Sequence, residues 1–202
     1  MVHAKLLTGL LVVACLLSIP WRISNHRTVT TGIPPSANPD TIRQLLHDHP
    51  FFIQLNPLIT GLSIVPTAPE RYEDEWLLPT AEEKEEEGGT SPIHTYLLSQ
   101  AIPMLPGASG GWGQKHIQFE TWLRNTPTGG VKTRADAPFG VSVASHWAVE
   151  PTASFSGRQD SPDWRITVQR RITCVWWMTP FVAYTYDKVH ASIMRDLIQL
   201  AS

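Results

Sequence analysis

The sequence predicts an α+β fold, a series of antiparallel strands closed by a long C-terminal helix laid across their sheet. Three observations predict it. Residues 164–177 are rich in β-branched and aromatic side chains, with Trp164, Ile166, Val168, Ile172, Cys174 and Trp176 on alternate positions. Period two marks a strand with one buried face. Past Thr179-Pro180, Val182, Tyr186, Val189, Ile193, Leu197 and Leu200 recur every three or four residues, one stripe of a helix of roughly five turns. Ahead of both, short strand-like runs alternate with hairpin-sized turns, which argues for antiparallel pairing.

Size and composition agree with one such domain. At 202 residues, 42% apolar and 17% charged, the chain is long enough to bury a real core. Its net charge of −2 and the lack of a basic stripe speak against nucleic acid, whose affinity comes largely from Lys and Arg at phosphates. Cys15 lies in an N-terminal apolar run, which leaves Cys174 alone in the folded part. No intradomain disulfide and no zinc spacing follow, and no metal or cofactor is expected. Cys174, on the apolar side of its strand, reads as a small hydrophobe.

Taken in order, residues 1–24 stand apart. An apolar run over residues 6–19, ending at Pro20-Trp21-Arg22, has the length of a signal-peptide core and is short for a membrane span. It reads as a signal peptide or short membrane anchor, pointing to the secretory pathway or a membrane rather than the cytoplasm. Asn38 and Asn56 precede proline and offer no glycosylation acceptor, so a plain extension stays open as the alternative. The domain is placed at residues 26–202. Residues 27–33 form a first strand. Asn38-Pro39-Asp40 supplies cap, first-turn proline and acid for a helix, ended by Pro50, and residues 51–57 make a second short helix or turn. Strands follow at 58–65, 72–78, 93–102, 116–124, 131–136 and 141–149. In two of them the inward sets are Ile117, Phe119, Thr121, Leu123 and Val141, Val143, Ser145, Trp147, Val149. The Glu-rich run at 82–89 reads as a solvated loop.

His47-Asp48-His49, Ile53-Gln54-Leu55-Asn56-Pro57-Leu58, Pro180-Phe181-Val182 and Lys188-Val189-His190-Ala191 resemble a fungal family of uncharacterised single-domain proteins. That family looks like part of the polyketide-cyclase/START-like (SRPBCC) superfamily. The resemblance implies the helix-grip fold, a curved antiparallel sheet around a long C-terminal helix with two short helices after the first strand. It also implies an apolar ligand held between sheet and helix. The superfamily includes lipid carriers, hormone receptors and cyclases, so the fold alone assigns no function.

Chemistry has few candidates. His47 and His49 diverge on a helix and share no ligand easily, so helix-end capping and solvation is the simpler reading of His47-Asp48-His49. Asp187 and His190, three apart on the last helix, could form an acid–base pair. Arg170 falls in phase with buried Ile166, Val168 and Ile172 and needs a partner, for which a ligand carboxylate or Glu120 are candidates. A β-bulge or an exposed strand end would remove that need. Trp76, Phe119, Trp147, Trp176 and Tyr186 are the expected walls of a ligand site. Two functions compete. One is an enzyme of terpenoid- or polyketide-like small-molecule biosynthesis, closing or isomerising a ring without metal or nucleophile. The other is a carrier of lipids or hydrophobic metabolites, with possible membrane association through residues 1–24.

Overall fold

The computed structural model describes residues 21–67, 76–79, 91–103, 114–152 and 163–202. In chain order they form β1 (Arg22–Ile33), α1 (Pro39–His47), α2 (His49–Gln54), β2 (Ile59–Val65), β3 (His94–Pro103) and β4 (Gln114–Asn125). Then come β5 (Val131–Ala137), a 3-10 turn (Pro138–Gly140), β6 (Val141–Pro151), β7 (Trp164–Val175) and α3 (Thr179–Leu200). The strands make one antiparallel sheet in the order β1-β7-β6-β5-β4-β3-β2. Each hairpin from β3 to β7 adds one neighbour. β1 closes the far edge by pairing with β7, and α1 and α2 carry the chain from that edge to β2. This is the predicted helix-grip architecture: a curved antiparallel sheet around the terminal helix, with the two short helices after the first strand.

Local chemistry explains the joints. The Asn38 side chain caps α1 by accepting from the Asp40 amide, with Pro39 in the first turn. Asp48 ends α1 and caps α2 through the Phe51 amide. His49 is not solvated as the sequence suggested: it is buried, its Nε2 2.8 Å from Asn125 Oδ1 and its Nδ1 3.3 Å from the Tyr96 hydroxyl. The β4–β5 turn leaves no room at Gly130, where a Cβ would run into the Trp147 carbonyl.

Two boundaries differ from the sequence reading. β1 starts at Arg22, since Arg22 pairs with Val175 and its guanidinium donates to the Gly140 carbonyl. The first strand therefore extends to four residues before His26. Of the expected strand at 72–78, residues 76–78 form a turn, and the rest lies outside the described residues. The apolar run at 6–19 and the Glu-rich run at 82–89 lie outside them too.

The concave face of the sheet meets α3 in two ways. Toward its C-terminus, Ile193, Met194 and Leu197 pack solidly with Ile42 and Leu46 of α1, Phe52 of α2 and Ile166 and Val168 of β7. Toward its N-terminus, Val182, Ala183 and Tyr186 pack on Val141, Ile172 and Cys174. Cys174 is fully buried with a free thiol.

Candidate functional site

Beneath α3 the concave face holds a cavity of about 630 Å³. Its floor comes from alternate residues of four strands: Leu98, Gln100 and Ile102 of β3, Ile117, Phe119, Thr121 and Leu123 of β4, Thr133 and Ala135 of β5, and Val141, Val143, Ser145 and Trp147 of β6. α3 supplies the roof with Val182, Tyr186, Val189, His190 and Ile193. The mouth lies at the N-terminal end of α3, rimmed by Phe139, Trp177 and Phe181, all exposed aromatics. Phe139 takes a left-handed backbone (φ 65°), uncommon for a bulky residue, and Lys115 lies over its ring at 4.2 Å.

A polar row crosses this apolar floor. Thr133 pairs with Ser145, Ser145 with Arg170, and Arg170 with Arg27 across four neighbouring strands. Ser145 Oγ lies 2.7 Å from Thr133 Oγ1 and accepts from Trp147 Nε1–H at 3.1 Å. The Tyr186 hydroxyl sits buried beside Ser145 without a well-formed hydrogen bond. Burial raises the pKa of that phenol, so it stays protonated.

His190 stacks against two aromatic rings, with the Tyr186 ring centroid at 3.5 Å (15° between planes) and the Trp147 centroid at 5.2 Å (30°). Its Nδ1 is 2.9 Å from the Tyr186 carbonyl. A carbonyl only accepts, so Nδ1 carries the hydrogen and Nε2 carries the lone pair. Burial lowers its pKa from 6.5 to about 4, and the ring is neutral at physiological pH.

That shift makes a prediction. Between pH 6.5 and about 4 the unfolded chain protonates His190 while the folded chain does not. Its contribution to stability is therefore complete above pH 6.5 and falls as pH drops toward 4, by an amount of order 3 kcal/mol. Burial lowers His49 too, adding in the same direction. Comparing the pH dependence of urea midpoints for His190→Phe and wild type isolates the His190 share. Equal slopes would show that His190 titrates freely.

The structure places the sequence-predicted residues unequally. Arg170 is buried and inward, but its guanidinium is already engaged. It donates to Asp187 through Nε and Nη2 at 2.8 and 3.2 Å and to Asn25 Oδ1 at 2.7 Å. The expected ligand carboxylate is replaced by the carboxylate of Asp187, which Arg27 also binds from β1. Asp187 therefore serves Arg170 and not His190, whose Nδ1 faces the backbone. Glu120 is on the convex face, in the phase opposite to Phe119 and Thr121, beside Leu77, Trp122, Arg134 and Asp136. Trp76 sits in a turn on that same side, its ring 5.2 Å from the Arg171 guanidinium. Trp176 follows the end of β7 and is 40% exposed. Of the expected walls, Phe119, Trp147 and Tyr186 line the cavity. Sequence reasoning missed the rim, although Trp177 and Phe181 lie on either side of the Thr179-Pro180 pair that starts α3. No group of three or more metal-ligating side chains occurs among the described residues, and no described helix is long and apolar enough to cross a membrane.

Comparison with known proteins bears on fold and family. The family model described as "Domain of unknown function (DUF7053)" matches residues 22–202. No curated protein matches the chain in sequence. Among solved structures, the Zhui aromatase/cyclase of Streptomyces sp. R1128 is similar with a TM-score of 0.54 at 10% identity, covering 90% of this chain and 94% of that one. The di-domain ARO/CYC StfQ of the steffimycin biosynthetic pathway gives 0.57 at 9% identity, covering 89% of this chain and 51% of that one. Ara h 8.0201 gives 0.50 at 10%, covering 89% and 99%. At such identities the likeness is one of fold.

Proposed function

The chain belongs to the family described as a domain of unknown function, DUF7053, and from its site we propose a helix-grip protein that takes a compact hydrophobic small molecule beneath α3. There it assists a ring closure or isomerisation of a polyketide- or terpenoid-like substrate, without metal or covalent nucleophile. The observation that carries the reading is the cavity itself: about 630 Å³, walled mainly by aliphatic and aromatic side chains, the form of a small-molecule site. An apolar mould that holds reacting ends together can remove as much as about 7–11 kcal/mol of a barrier. Aromatase/cyclases share the fold, which supports a ring-forming reading.

A second reading, a carrier without turnover, is favoured by a different observation. Most polar groups on the floor satisfy one another, Thr133 with Ser145 and Ser145 with Trp147, which leaves little for chemistry.

Both readings require occupancy. The neutral dye N-phenyl-1-naphthylamine is expected to bind at one saturable site. Ala135→Trp, which fills the cavity from its floor, should weaken it about tenfold or more while leaving the circular dichroism unchanged. A dye that fails to bind, or binds the variant equally well, overturns both readings. Mass spectrometry of a bound metabolite before and after incubation separates enzyme from carrier.

A further inference from the structure

We propose that the cavity selects its ligand by a hydrogen-bond donor, and that the Nε2 of His190 is the selecting atom. The ligand class is then a neutral hydroxylated hydrophobe, an alcohol, phenol or enol, and not a carboxylic acid. This rests on the cavity reading above and adds the chemistry of the occupant's polar end.

Geometry carries the argument. The His190 ring cannot exchange its nitrogens cheaply: Nδ1–H is held by the Tyr186 carbonyl, and the ring is stacked against those of Tyr186 and Trp147. Nε2 therefore presents a lone pair, and it meets no hydrogen-bond donor among the described residues, while the residue itself lines the cavity. An acceptor fixed in an apolar enclosure is under-satisfied until a donor arrives. The burial that keeps the ring neutral acts in the same sense.

For a carboxylate the deep part of the cavity offers one neutral donor, the Tyr186 hydroxyl, and no open cation. A carboxylate carried to the floor would need a cation. Arg170 is the buried cation of the polar row, and Asp187 and Asn25 occupy its donors. Lys115 stands at the rim, exposed, against Phe139. Ser145 is spoken for by Thr133 and Trp147. A ligand that donates one hydrogen bond and is otherwise apolar thus satisfies His190 Nε2 and leaves no charge unpaired, while the Tyr186 hydroxyl, which can donate or accept, does not discriminate.

Three probes of one shape test this: 2-naphthol, 2-methoxynaphthalene and naphthalene-2-carboxylate, titrated by displacement of N-phenyl-1-naphthylamine from the full-length protein at neutral pH. Wild type should prefer 2-naphthol over 2-methoxynaphthalene roughly fivefold to tenfold, the scale of one hydrogen bond, and bind the carboxylate more weakly still. In His190→Phe, which keeps a flat ring against Tyr186 and Trp147, the naphthol and its methyl ether should bind alike. If that variant does not fold, the wild-type ratio of naphthol to ether affinity together with the ¹⁵N shift of His190 Nε2 decides the question. The ¹⁵N shift of His190 Nε2 should move with 2-naphthol and stay with 2-methoxynaphthalene. Equal affinity of naphthol and ether in wild type, a carboxylate that binds as well as naphthol, or a preference that survives His190→Phe overturns the inference and leaves the cavity reading standing. Failure of the dye and of all three probes to bind overturns that reading, and this inference with it.

Discussion

Asp187→Leu is expected to destabilise the protein by about 3–5 kcal/mol, the cost of leaving a buried charge without its partner. Arg170→Met, which removes the other half of the same pair, should cost less than half as much. The asymmetry follows from the surroundings. The Arg170 side chain is 3% exposed and that of Asp187 26%, so a lone Arg170 is stranded in the interior. A lone Asp187 keeps partial hydration and its second partner, Arg27. Asn25 would remain bound to Arg170, but an amide oxygen does not offset a full charge. The double variant, Arg170→Met with Asp187→Leu, should lie closer to wild type than Asp187→Leu does, because an apolar pair of similar volume has no charge to desolvate. Urea unfolding of the three variants checks all of this. Equal costs for the two single changes would mean that the pair is solvated, contrary to its burial.

This ion pair also shows where the sequence is legible and where it is not. Arg170 can be placed on the inward face from strand phase alone, because alternation is a local property of β7. Its partner cannot. Asp187 lies off the apolar stripe of α3, and only the docking of helix on sheet brings it over β7, 17 residues away along the chain. Glu120 is excluded as that partner by strand phase itself, since Phe119 and Thr121 already claim the inward phase of β4. Trp176 fails as a wall for a different reason: the phase of a strand ends with the strand, and β7 stops at Val175. The helix-grip fold is legible because its parts are periodic and its helix caps lie close together in sequence. The cavity is not, because an unfilled volume depends on how far sheet and helix stand apart, which no single segment encodes.

That distance gives the other large effect. Leu197→Asp is expected to abolish the cooperative fold, whereas Val189→Asp, two turns earlier on the same stripe, is expected to fold with a loss of about 2 kcal/mol. Both leucine and valine are buried, at 0% and 7% exposure, and a helical wheel does not distinguish them. Their surroundings do. Leu197 belongs to the solid part of the core with Ile42, Leu46 and Ile166, where a carboxylate finds neither water nor partner. Burying one there costs several kcal/mol even if it is protonated, a large share of the roughly 5–15 kcal/mol that a domain of this kind has to lose. Val189 roofs the cavity, and a carboxyl group there can draw water into space that already exists. Far-ultraviolet circular dichroism with urea titration separates the outcomes: no cooperative transition for Leu197→Asp, a shifted but intact one for Val189→Asp. If Leu197→Asp folds, the C-terminal half of α3 is not clamped as described. If Val189→Asp is equally unfolded, Val189 is clamped in the core as firmly as Leu197 and does not roof open space.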